Sequence, residues 1–138
     1  MSEERLTHLN EKGEANMVDV SAREVTTRIA TASGRVSLSS EVLNLIANNQ
    51  TPKGDVLATS RIAGIMGAKK TSELIPLCHP IAIHKVEVEL KIESDGVSIT
   101  AMVKTNDRTG VEMEALTAVS VAGLTLIDMI KALDPKAS

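Results

Sequence analysis

The chain has 138 residues, a formal net charge of −3 and an apolar share of 43%, enough for one domain with a true core and too few for two. That charge provides no global positive field for non-specific nucleic-acid binding, and the lack of any Phe, Tyr or Trp excludes a base-stacking platform. A single cysteine, Cys78, excludes an intrachain disulfide and fits a reducing compartment.

The N-terminus has no basic region followed by an apolar run, so no signal peptide is expected and the cytoplasm is the expected location. Residues 1–16 read as a polar, flexible arm with Asn10, Gly13 and Asn16 as turn formers, leading into Met17-Val18-Asp19-Val20. From Val25 to Leu38, Thr and Val residues alternate in part, predicting a strand broken at Ser33-Gly34. Ser39 or Ser40 can cap a helix over Glu41–Asn48, with Val42, Leu45 and Ile46 as its stripe.

Gln50-Thr-Pro-Lys-Gly54 is a loop, because Pro52 fixes one φ and Gly54 frees another. Asp55 is the expected N-cap of a second helix to about Lys69, packing through Val56, Ile62, Ala63 and Met66. One further turn starts at Thr71 or Ser72 and ends before Pro76. Ile81–Ile92 alternates most clearly: Val86, Val88, Leu90 and Ile92 share one face, and Lys85, Glu87, Glu89 and Lys91 the other. Ser94-Asp95-Gly96 is a tight turn, Val97–Val103 an antiparallel partner, and Thr105–Gly110 a loop before the last helix. A sheet with one apolar and one polar face, and helices to cover the apolar one, predicts α+β rather than a parallel doubly wound sheet.

The final helix, Gly110–Lys131, is the most apolar, yet carries Glu112, Glu114, Asp128 and Lys131. Charges on a largely buried helix are costly unless paired or used. At 100° per residue Glu114 and Asp128 face within about 40° of each other but lie about 21 Å apart along the axis. Asp128 and Lys131, at i and i+3, can pair. Leu116, Val119, Gly123, Ile127 and Ile130 form the opposite stripe; Glu112 would project toward it only if the helix is already formed there, and is expected instead to be presented from the pre-helical loop or to face another subunit. Carboxylates favoured by the helix dipole, plus one ion pair, account for the same charges without chemistry. The helix is too interrupted by polar residues to read as a membrane span.

Lys53, between Pro52 and Gly54, suits a positioned ammonium. Arg61, Lys69 and Lys70 add positive charge that a solvated face explains almost as well. Ile75-Pro-Leu-Cys-His-Pro80 holds Cys78 and His79 between two prolines on a stiff backbone. A cysteine-rich zinc site is excluded, and a metal site is not assigned; only one recruiting His8, His84 or a carboxylate is left open. No phosphate loop of the Walker type and no Gly-x-Ser-x-Gly elbow is present. Cations for phosphate oxygens, carboxylates for ring N–H groups and Lys or His for proton transfer would together suit an anionic nucleotide.

Met17-Val-Asp-Val-Ser21, Lys53-Gly-Asp55, Arg61-Ile-Ala-Gly64, Ala68-Lys-Lys-Thr71, Leu74-Ile-Pro-Leu-Cys-His-Pro80, Thr109-Gly-Val-Glu-Met-Glu-Ala-Leu-Thr117 and Asp128-Met-Ile-Lys131 resemble, in order, the cyclic pyranopterin monophosphate synthase family, molybdenum cofactor biosynthesis protein C. The resemblance spans nearly the whole chain as one domain, 1–138. It implies a ferredoxin-like α+β fold with a long C-terminal helix, and a homo-hexamer built as a trimer of dimers with active sites at the dimer interface. It also implies a phosphorus–oxygen lyase that converts (8S)-3′,8-cyclo-7,8-dihydroguanosine 5′-triphosphate to cyclic pyranopterin monophosphate and diphosphate.

By the same resemblance Asp128, Lys53, Lys131 and His79 are catalytic. Leu77, Cys78, His79, Glu112, Met113 and Glu114 bind substrate; Arg28 is directed at the phosphates and Lys69 helps. The nucleotide substrate is the expected small-molecule partner, with neither nucleic acid nor membrane. No cofactor is assigned, and Mg²⁺ on the triphosphate or diphosphate is left open. Family members continue into a Lys-Ser-Gly-Gly-Lys-Ser-Gly-like tail with another essential lysine. This sequence stops at Leu133-Asp-Pro-Lys-Ala-Ser138, so the tail is either lost or lies beyond this sequence; if it is lost, the alternative is a nucleotide-binding or assembly module with impaired catalysis.

Overall fold

Twelve residues from Thr26 to Ser37 form β1 in the computed structural model, which describes residues 9–138. The first half of the expected arm, including His8, lies outside the described residues. The expected break at Ser33-Gly34 is absent, and β1 runs antiparallel to the third strand without interruption from Thr26↔Asp107 to Ser37↔Gly96. Gly34 is there for packing: a Cβ on it would meet Val119 Cγ1 of the last helix at 2.7 Å. The glycine is a close-approach site, not a break.

Helix α1 covers Ser40–Ala47, with the Ser39 hydroxyl accepting from the Val42 amide at 3.3 Å. Helix α2 covers Val56–Lys69, capped by Asp55 through the Ala58 amide at 3.0 Å, and a single turn, α3, covers Thr71–Leu74. β2 (Ile83–Ile92) and β3 (Gly96–Asp107) form a hairpin around Ser94-Asp95. β3 runs four residues past the expected Val103, because Thr26–Arg28 of β1 still pair with Thr105–Asp107. Helix α4 covers Glu112–Ile130.

The sheet order is β1-β3-β2, all antiparallel, with helices covering one face. The element order is that of a ferredoxin-like α+β fold, with three strands. The expected alternation of β2 holds: Val88 and Leu90 are buried, and Lys85, Glu87, Glu89 and Lys91 are exposed. The Lys85–Glu87 pair on that open face, 2.9 Å apart, adds little stability.

The core joins Val36, Val97, Ile99 and Ala101 of the sheet to Ala118, Ala122, Leu126 and Ile130 of α4. The packing face of α4 differs from the expected stripe. Ala115, Ala118, Ala122 and Leu126 are buried, whereas Leu116 and Leu124 are exposed. On α2, Ser60, Gly64, Gly67 and Ala68 are buried, and the expected packing residues Ile62 and Met66 are exposed. The reason is closeness of approach. A Cβ on Gly64 would meet the Ala118 carbonyl oxygen at 2.9 Å, and one on Gly67 would meet Val121 Cγ2 at 2.8 Å. Small residues let these two helices touch almost backbone to backbone, which pushes the large apolar side chains outward.

α4 is long and apolar enough to cross a membrane by length and composition, with a mean hydropathy of 1.6. Its buried side accounts for that composition in part, because it lies between the sheet and α2.

Candidate functional site

After α3, the prolines at 76 and 80 bracket a stiff segment whose Cys78 amide donates to the Ile75 carbonyl at 3.1 Å. That turn presents Leu77, Cys78 and His79 toward the first turn of α4. The His79 ring Nε2–H donates to the Val18 carbonyl, tying this segment to residues 17–23. A carbonyl can only accept, so Nε2 holds a proton and Nδ1 is the acceptor in the neutral ring. Asp19 accepts from the Ser21 amide at 2.9 Å, and the Arg23 amide donates to the Val20 carbonyl at 3.0 Å, closing a second turn.

These pieces enclose a cavity of about 430 Å³, within the range of small-molecule sites. Its walls include Leu77, Cys78, His79, Glu112, Met113 and Glu114, six of the residues expected at the site. Glu114 is only 2% exposed. Burial pushes its carboxyl above the ordinary value of 4.5, and the neighbouring Glu112 pushes it further; its own backbone amide and the Cys78 thiol oppose the shift. The Cys78 Sγ–H donates to Glu114 Oε2 at 3.8 Å. Burial, then the Glu114 carboxyl, raises the thiol too. Cys78 is therefore a weak hydrogen-bond donor here rather than a thiolate nucleophile.

Glu112 is the first residue of α4 and is exposed, with its carboxylate folded back over Gly110 and away from the apolar stripe. The helix ends the other way. Lys131 Nζ lies 2.9 Å from Asp128 Oδ1, and Lys53 Nζ lies 3.1 Å from the Asp128 carbonyl oxygen and 3.7 Å from Oδ2. The hydrogen bond from Lys131, its charge and then the charge of Lys53 hold the Asp128 carboxyl below its usual range. The three candidates form one exposed cluster.

The expected residues thus fall into two groups on one unbroken helix, about 21 Å apart over the fourteen residues from Glu114 to Asp128. Arg28 joins neither: it is half-buried on β1 opposite Thr105, with Nε lacking a partner among the described residues. Lys69 is exposed in the last turn of α2. Sequence reasoning missed Val18, Val20, Arg23, Ile75, Thr109 and Gly110 in the cavity wall. The signal is Met17-Val-Asp-Val-Ser21, a stretch that carries the family resemblance but whose local pattern reads only as the end of a polar arm. Among the described residues no group of three or more His, Cys, Asp or Glu could hold a metal ion.

The model of one protein family, MoaC, matches residues 17–138. The chain belongs to the MoaC family. Curated relatives agree. It is 65% identical over 136 residues to a cyclic pyranopterin monophosphate synthase of Streptomyces griseus, covering 99% of this chain and 77% of the relative. A protein of that name from Nocardioides is 58% identical over 139 residues, covering 99% and 85%. Another, from Dinoroseobacter shibae, is 60% identical over 131 residues, covering 94% and 83%. The MoaC match begins at Met17, the first residue of the segment that His79 fastens to the cavity. Residues 17–23 are thus part of both the family domain and the candidate site.

Proposed function

We propose that the protein converts (8S)-3′,8-cyclo-7,8-dihydroguanosine 5′-triphosphate to cyclic pyranopterin monophosphate, releasing diphosphate, in molybdenum cofactor biosynthesis. The observation that carries this reading is the family match across both halves of the candidate site, at 65% identity to a named synthase. The cavity is of a size for a fused-ring nucleoside, and its walls offer carboxyl groups for ring N–H donors without any aromatic residue.

Lys53 and Lys131 are assigned to proton transfer while the imidazole-derived ring opens and the pyrazine ring of the pterin closes. Asp128 holds both ammonium groups in place. Its carboxylate lies 3.7 Å from the Lys53 ammonium and 2.9 Å from that of Lys131, so one anion orients both. His79 lines the reacting substrate, and Glu112, Met113 and Glu114 orient the ring. Arg28 and Lys69 belong in this reading only if ligand binding or assembly brings them to the phosphates.

One helix cannot bring its two ends to one ligand. The reading therefore includes an assembly in which one protomer supplies the cavity and another the lysine cluster: a homo-hexamer built as a trimer of dimers. Met113, Leu116, Ser120 and Leu124 form an exposed, largely apolar line along α4, and such a line fits a second copy. The cytoplasm is the assigned location, and neither nucleic acid nor membrane is an assigned partner.

The test is diphosphate release from the cyclised triphosphate by the purified protein, with identification of the pterin product. Substrate binding without release would favour a nucleotide-binding module with impaired catalysis. Near-normal release by both Lys53→Ala and Lys131→Ala would remove the lysines from the mechanism.

A further inference from the structure

Arg23 is the one lysine or arginine in the wall of the 430 Å³ cavity among the described residues; the other titratable groups there are Cys78, His79, Glu112 and Glu114. Its guanidinium makes no ion pair among those residues, although its backbone is fixed. The Arg23 amide closes the turn on Val20, Asp19 closes the turn before it, and His79 anchors Val18. Of the other cations in the proposed site, Lys53 and Lys131 are both engaged on Asp128, and Arg28 and Lys69 lie outside the cavity wall. A cavity with two carboxyl groups would repel a polyanion unless a cation offset them. Arg23 provides a guanidinium, a planar fork of donors matched to phosphate oxygens.

We propose that Arg23 binds the triphosphate arm of the substrate from the cavity side, as a binding residue beyond those assigned above. This rests on the functional reading just given. The turn at 20–23 then has a purpose: it places Arg23 in the cavity wall without an ion pair to Glu112 or Glu114. Arg23 touches the part of the substrate that leaves, so it acts on substrate affinity and on retention of the product diphosphate, not on ring chemistry.

The experiment compares the full chain with Arg23→Ala, Arg23→Gln and Arg23→Lys. Titration calorimetry with inorganic triphosphate is the first readout, and KM and kcat for the cyclised substrate are the second. Arg23 is exposed, so all three variants should keep the wild-type melting temperature. The expected result is at least about tenfold weaker triphosphate binding in Arg23→Ala and Arg23→Gln, partial recovery in Arg23→Lys, and a matching rise in KM with little change in kcat. Unchanged triphosphate affinity in folded Arg23→Ala and Arg23→Gln would overturn the proposal, as would wild-type protein that does not bind triphosphate at all. If the wild type fails to turn over the cyclised substrate yet loses triphosphate binding in both variants, the functional reading fails and the anion site stands.

Discussion

Lys53 and Asp128 meet across 75 residues of sequence, the ammonium 3.1 Å from the aspartate's own carbonyl oxygen and 3.7 Å from its carboxylate. Lys131 closes the cluster from the next turn of the helix. One carboxylate thus fixes two lysines that come from a loop and a helix end. Asp128→Asn should cost about a hundredfold or more in kcat, because both proton carriers lose their anchor. The melting temperature should move by no more than about 2 °C, since the cluster is exposed. Steady-state kinetics and a thermal melt on the same preparation check this. A large drop in stability with modest loss of activity would make the cluster a structural tie.

Glu114 gives a pH signature. Its folded-state pKa is raised above 4.5, so its neutral form is favoured in the fold. The stability linked to that proton is complete below the unfolded-state value and is lost as pH rises through the folded-state value. Glu114→Gln removes the ionisation. The melting-temperature difference between Glu114→Gln and wild type should therefore move in favour of the variant from about pH 5 to about pH 8. A difference independent of pH would show that burial does not perturb this carboxyl.

The contact between α2 and α4 predicts an order of damage. Gly67→Ala would press on the methyls of Val121, which can shift, and should cost about 1–3 kcal/mol. Gly64→Ala would press on the Ala118 carbonyl, which cannot move without the helix, and should cost more. Val121→Ala should rescue Gly67→Ala in part and leave Gly64→Ala unrescued, as read by denaturant melts in a double-mutant cycle. Equal costs, or rescue of both, would show that the helices are not held this closely.

Much of this fold was legible in the chain. Asp55 caps α2 where its side chain predicted it, and β2 shows its charged and apolar faces in the expected alternation. What failed was the choice of packing face. Hydrophobicity favoured Ile62, Met66 and Leu116, but at a close helix crossing shape decides, and glycine and alanine take the contact. Those three residues, with Leu124, then become informative as exposed apolar surface.

At the site, periodicity gave the Asp128–Lys131 pair and the distance to Glu114. It could not bring Lys53 to Asp128, a contact made by tertiary folding alone. The part of Met17–Arg23 was hidden for the same reason: nothing local shows that His79 holds it over the cavity.

The exposed line on α4 carries its own prediction. Leu124, 67% exposed, lies on a face with Leu116 and Met113. Leu124→Glu should lower the oligomeric state in sedimentation equilibrium while leaving the far-UV circular dichroism of the protomer intact. Diphosphate release should fall with it. An unchanged mass would place the subunit contact elsewhere.

The central claim is that the cavity and the lysine cluster of one site come from different protomers. It is tested most directly by mixing two inactive variants, His79→Ala and Lys131→Ala, after dissociation and reassembly. If each site draws on two subunits, the mixture should recover diphosphate release from the cyclised triphosphate, to about a quarter of wild type for random pairing. Recovery of none, with mixed oligomers verified by mass spectrometry, would contradict the account.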